Sequence, residues 1–422
     1  MATELAEARA ELAALRSEME SRLAEAAQTI FKLNEENDLL AEANEQLRVE
    51  NITLKAQLEE LQAASVDTSL SSLSLAENTV PEALLTPGDG VLPVNESVSV
   101  DQAHVMNVLS VGGHFFDADI IASGGADKFV KVHNWTTKSV VTSYDAGAPV
   151  LAVSFHPKKI YANYLLVSTM DGKHRVLHLE NERLNLVQQF HDHTRQGNIR
   201  HAWLTTGFGF ATGASDKTAH VYFATNEDGS PVQFAIAKSF YFNGTIEAMT
   251  VVPPTGNNAE QLVISIRDDC YMHYVDCSTL EKTRINMNVD GIEHVSYTMM
   301  DLQTSPSGEY LLVATDANRH FIIKVRSNVV LRSFYGHKAG PYSQPRVTWH
   351  ASEKYIISNT EGEGGLVMWC VASEKVIHRI KAHEKLLRDL WYNQLHGIDY
   401  LVTGSYDKSL KLWQVSSSSS PS

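Results

Sequence analysis

Apolar residues recur at every seventh position through the first 64 residues: Leu5, Leu12, Met19, Ala26, Leu33, Leu40, Leu47, Leu54 and Leu61. Neither Pro nor Gly interrupts them. A sustained seven-residue repeat with charged flanks predicts a left-handed coiled coil over residues 1–64, with a single solvated helix as the alternative. Taking the leucine series as d puts Asn37, Asn44 and Asn51 at a. Leu at d with Asn at a favours two parallel chains, because buried asparagines pair only in register. The expected dimer seam is Leu33, Asn37, Leu40, Asn44, Leu47, Asn51 and Leu54. At ~1.5 Å per residue the rod would be on the order of 95 Å long.

The seven-residue period then stops. Residues 65–95 are rich in Ser, Thr, Pro and Gly and read as a flexible tether. Past residue 95 the period becomes two, and a strand, an acidic turn and a second strand recur seven times. The strands begin at Ile120, Leu165, Phe208, Leu262, Tyr310, Tyr355 and Tyr400. The turn acids are Asp127, Asp171, Asp216, Asp268 or Asp269, Asp316, Glu361 or Glu363, and Asp407. Their spacing of ~45 residues is the period of a four-stranded propeller blade. The expected fold is therefore an all-β, seven-bladed propeller over residues 96–415, preceded by the helical coiled coil. Residues 416–422 are a Ser-rich tail, expected to be disordered. That tail cannot supply the outer strand of the last blade. Residues 96–100 alternate suitably and are expected to fill that place, joining the two ends of the domain.

The last unit carries a specific polar set. His383, Thr403, Asp407 and Trp413 are spaced to meet: Asp407 in the hairpin turn, His383 between it and Thr403, and the Trp413 indole on the same hydroxyl. A buried chain of this kind is stable only when each member is satisfied. This set resembles the structural tetrad of the WD40 repeat, and the resemblance covers roughly residues 95–415. Unit one has Ser123 and Asp127, with His133 in the Trp place. Unit three has Thr212 and Asp216, with Tyr222 for Trp and His193 as partner. Unit six has Trp369 and His337 but no turn Asp. The resemblance implies that Arg200, Arg388, Ser215 and Tyr406 lie on the rim where the top loops converge. The long loop entering unit six adds Tyr335, Tyr342 and Arg346. Aromatic and Arg side chains often dominate interfaces, so these residues are the expected partner-binding set. As exposed residues, Tyr342, Arg346, Arg388 and Tyr406 would be replaceable by Ala with little change in melting temperature.

Charge and cysteine content narrow the classes. The net charge of −15 is concentrated in residues 1–64, at −8, and 65–100, at −5. That leaves −2 for residues 101–422, so neither the acidic N-terminal part nor the near-neutral remainder has the basic stripe of a nucleic-acid reader. No apolar run is long enough to cross a bilayer, and no signal core opens the chain. Three widely spaced cysteines suit a reducing cytoplasm or nucleus. His191, His193 and His201 form a cluster better read as repeat histidines than as a metal site. Ser123-Gly124-Gly125-Ala126 lacks the Gly-Lys-Ser/Thr ending of a phosphate-binding loop. No catalytic, cofactor or metal site is expected. The expected function is a non-enzymatic dimeric scaffold or adaptor that binds proteins through the propeller rim. The alternative is a substrate receptor of a ubiquitin ligase. The Trp-Asp-x-Arg box of some such receptors is missing at Trp369-Cys370-Val371-Ala372 and Trp413-Gln414-Val415-Ser416.

Overall fold

The computed structural model describes residues 80–225, 232–256, 258–339, 344–361 and 364–415, with Leu15, residues 17–19, Arg22, Gln28 and Lys32. Those seven N-terminal residues are helical. Met19, an expected d position, is 64% exposed. Arg22 donates to Glu18 at 2.8 Å, one turn away. The seam residues Leu33, Asn37, Leu40, Asn44, Leu47, Asn51 and Leu54 lie outside the described residues. Among the described residues no helix is long and apolar enough to cross a membrane.

The described strands run in chain order from β1 (Asn95–Val100) to β28 (Leu410–Gln414) and form seven four-stranded antiparallel sheets. Six blades are continuous in sequence. The innermost strands are β2 (Val108–Gly113), β6 (Val150–Phe155), β10 (Ile199–Trp203), β14 (Ile246–Val252), β18 (Met299–Thr304), β22 (Val347–Trp349) and β26 (Leu387–Leu395). The seventh blade is composite. After β26 come β27 (Ile398–Ser405) and β28, and β1 adds the outer edge. Asn95 pairs with Gln414 and Val100 with Leu410, so the two ends of the ring meet in one sheet as expected.

Apolar patterning explains the layering. The second strand of each blade faces a neighbouring blade on both sides. Gly209–Ala214, Gln261–Ile266 and Tyr310–Thr315 are accordingly buried throughout. Outer strands such as Lys282–Asn286 are largely exposed. Seven apolar clusters fill the ring, one per seam between blades. The cluster of Val108, Val111, Ile121, Val402, Leu410 and Leu412 closes the ring between blades 7 and 1. Several hairpin turns place the residue after the acid at positive φ: Lys128 at 75°, Lys217 at 68° and Lys408 at 73°. The preceding Asp accepts backbone N–H groups there and holds a conformation that is uncommon for a residue with a Cβ.

The tether differs from its expectation. Residues 80–94 pack as a strap against the propeller, and the compact unit begins at Thr79. A short helix, α1 (Glu82–Leu85), buries Leu84 among Trp349, Ile356 and Trp369 at the seam of blades 5 and 6. Leu92 enters the seam of blades 6 and 7. The Tyr355 hydroxyl accepts from Gly90 N, and Lys354 Nζ donates to the Ala83 carbonyl at 2.6 Å. Composition pointed to disorder. Two buried leucines and these anchors offset the ordering cost instead.

Candidate functional site

Two kinds of buried polar cluster bear on the candidate site. The first is the tetrad. In blade 7, His383 Nδ1 meets Asp407 at 3.1 Å and Nε2 meets Thr403 Oγ1 at 2.7 Å. Trp413 Nε1 donates to that hydroxyl at 3.0 Å, as the spacing predicts. Burial works against the Asp407 charge, but the bonds from His383 and Ser409 outweigh it and hold the carboxyl well below its usual range. Blade 1 builds the same chain with His104, which sequence reasoning missed. His104 bridges Asp127 and Ser123, both at 2.8 Å, and His133 takes the Trp place, 2.8 Å from Ser123. Blade 3 joins His193 to Asp216 and Thr212, both at 3.0 Å, but the Tyr222 hydroxyl donates to Asp192 instead. In blade 6, His337 stacks on His320 at 3.7 Å, and Trp369 Nε1 donates to the Tyr335 carbonyl.

The second cluster lies at the mouth of the central channel. Five inner strands carry a register shift at the same place, which leaves Leu109, Leu151, Glu247, Met300 and Arg388 out of their ladders. A bulge of this kind re-aims a side chain. Arg388 Nη2 donates to Gln344 Oε1 at 2.8 Å, and Arg200 Nη2 reaches the same oxygen at 3.3 Å. Arg200 stands in blade 3 and Gln344 at the entry to blade 6. Blades that are not neighbours can touch only across the channel, so this contact spans it. Arg346 enters from blade 6 and pairs with Asp301 at 3.2 Å and Asp389 at 3.5 Å. Arg200 Nε donates to the Glu247 carbonyl at 2.6 Å. Glu247 itself is paired with Arg267 at 2.6 Å.

The electrostatics follow from crowding three guanidinium groups in a buried space. Burial, then the charges of Arg346 and Arg388, push Arg200 down to about 9. Burial and Arg346 lower Arg388, while Tyr406 and Asp389 act in the opposite sense. Burial also opposes the Arg346 charge, but Asp301 and Asp389 prevail and raise it. Burial raises Asp301 despite Arg346 beside it. A cavity of about 70 Å³ opens beside Arg388 and is lined by Gln344, Pro345, Leu387, Lys338, Glu361 and Tyr406.

The expected partner-binding residues are thus divided. Arg388, Tyr406 and the loop entering unit six do come together. The arginines, however, are not exposed: Arg200 is 6% and Arg388 9% exposed, and the Arg346 side chain 12%. The expectation that their removal leaves stability unchanged is therefore corrected. A bulge re-aims Arg388, whereas Arg200 pairs in regular register with Gly213 and Arg346 stands just ahead of β22, held by Asp301 and Asp389; sequence displays none of this. Ser215 is also buried, with its hydroxyl on the Asn198 carbonyl at 3.1 Å. Tyr335 is exposed at the end of an outer strand, away from the cavity lining. Tyr342 lies outside the described residues. Of the histidine cluster, His191 is exposed, His193 belongs to the blade 3 tetrad, and His201 sits between Ser154 and Ser168.

Residues 374–414 match the family described as WD domain, G-beta repeat. The match runs from the last strand of blade 6 through the tetrad of blade 7. Together with the seven four-stranded blades it supports a WD40 propeller. A search of curated proteins finds no match to the chain.

Proposed function

We propose that the chain is a non-enzymatic scaffold that docks protein partners on the face where the channel opens, and that residues 1–64 pair two such propellers in a parallel dimer. WD40 propellers typically serve as protein-interaction platforms. The observation that carries the choice of face is the mouth itself. Tyr406, Lys338, Glu361 and Pro345 surround a small cavity lined also by buried Arg388, on a ring held rigid by seven apolar seams. Aromatic and Arg groups in a fixed, partly desolvated setting are the groups that most often anchor a partner. Dimerisation would present two mouths and raise avidity for a repeated target. A reducing compartment, cytoplasm or nucleus, fits the free thiols of Cys270, Cys277 and Cys370.

Affinity purification with the full chain, beside a Tyr406→Ala/Lys338→Glu variant, tests the face. The variant should keep its melting temperature and lose at least one partner. Retention of every partner would reject this face. Sedimentation of the full chain should give about twice 46.7 kDa, and removal of residues 1–78 should return the monomer mass. A full chain that sediments as a monomer would reject the dimer.

A further inference from the structure

Arg200 and Arg388 are both more than nine-tenths buried, and among the described residues neither forms an ion pair with a carboxylate. Each sends one Nη2 to the same neutral amide oxygen, that of Gln344. Each leaves its Nη1 without a hydrogen-bond partner. The nearby acids are committed elsewhere. Glu247 holds Arg267 and the Asn198 amide. Asp301 holds Arg346 and Val347 N. Asp389 accepts from Ser110 Oγ and Val111 N, and pairs with Arg346. Two like charges have therefore been drawn to one uncharged acceptor.

We propose that the channel mouth is an oxyanion site, in which Arg200 and Arg388 together hold a group of phosphate or carboxylate size. A guanidinium offers a planar fork of donors that matches such a group, and a charged acceptor makes a stronger bond than an amide oxygen. The cavity at Arg388 and Gln344 is about 70 Å³, against about 30 Å³ for one water in the liquid. That leaves room for a group of phosphate or carboxylate size. Burial and the neighbouring Arg346 and Arg388 charges lower the affinity of Arg200 for its proton, and a bound anion would oppose both. The group has two possible sources, a free anion or an acidic side chain of a docked partner. The second rests on the docking face proposed above.

The test uses the full chain and inorganic phosphate as probe, at constant ionic strength set with chloride. Millimolar phosphate should raise the melting temperature by about 2 °C, and calorimetric titration should find one phosphate per propeller. Gln344→Glu places a carboxylate between the two arginines. That variant should melt above the wild type without phosphate and should lose the phosphate response. No shift and no heat with the wild-type chain would overturn the proposal, as would an equal shift in Gln344→Glu. If the variant fails to fold, the wild-type titration alone decides. The sources separate by competition. Phosphate that displaces a purified partner means the partner delivers the group; phosphate that binds without displacing it means a free anion. Should the Tyr406→Ala/Lys338→Glu variant keep every partner, the docking face fails while a positive phosphate titration still upholds the site.

Discussion

Blades 6 and 7 are neighbours that begin from similar parts and are secured differently. Each has a histidine ahead of its second strand and a tryptophan at the end of its third: His337 and Trp369, His383 and Trp413. Blade 7 adds Asp407 in the turn, and the three close on Thr403. Blade 6 has no aspartate there. His337 lies flat on His320, and neither of its ring nitrogens makes a well-formed hydrogen bond. Blade 6 is secured from outside instead. Leu84 of the strap packs on Trp369, and Lys354 and Tyr355 bind the strap backbone. Its polar groups Gln344, Arg346 and Asn359 serve the channel mouth. Between these two blades, the turn acid accompanies the polar chain that forms on Thr403, and its absence accompanies the one that does not.

The contrast can be broken most forcefully at Arg346. Its removal leaves buried Asp301 and Asp389 without the cation that pairs with both. Arg346→Ala should cost about 3–5 kcal/mol in chemical denaturation, a magnitude typical of a broken buried pair. His383→Phe, which keeps the ring shape but strips Thr403 and Asp407 of their partner, should cost about 2–3 kcal/mol. Leu84→Ala should cost about 2–3 kcal/mol, if the strap does for blade 6 what the tetrad does for blade 7. A loss of only a few tenths would make the strap ornamental.

The sharpest comparison is His337→Phe against His383→Phe. A buried donor and acceptor without good partners lose little when an apolar ring replaces them, so His337→Phe should change stability by less than about 1 kcal/mol at pH 7. Burial lowers His337 to about 4, with the Ala317 carbonyl as a small offset. In the unfolded chain the same group titrates near its ordinary 6.5. The neutral buried ring thus stabilises fully above pH 6.5, and that contribution falls as pH drops from 6.5 toward 4, because only the unfolded chain takes up the proton. Thermal melts of the wild type and His337→Phe should diverge by about 1–2 kcal/mol between pH 6.5 and 5 in favour of the variant. Parallel curves would place the proton elsewhere.

What could be read from the chain follows the range of the signal. The blade 7 tetrad was legible because its members lie within one hairpin and its approach. The closing strand was legible because a blade without an outer edge demands one. His104 was missed although its signal was present. It precedes its turn acid by 23 residues, as His193 does, and His383 precedes Asp407 by 24. The strap was misread because Leu84 and Leu92, beside Leu85 and Val91 and among Pro and Gly, follow no period that marks a buried face. The arginines were misread because their burial depends on a bulge at Arg388 and on contacts across the channel. Arg200 and Gln344 are 144 residues apart, and no local pattern joins them.

The composite seventh blade has a consequence for the order of events in the cell. The hydroxyl of Ser97 in β1 donates to the Leu412 carbonyl, 315 residues later. During synthesis β1 emerges before any complete blade and must wait for β28, the last strand of the ring. Until then it has an unpaired edge and no sheet to join, and non-local pairings of this span are slow to form. A chain that stops short of Leu410 has made every other blade but cannot finish its ring. It leaves one bare edge on β27 and another on β1, both open to pairing with other chains. Ring closure thus depends on synthesis having passed β28.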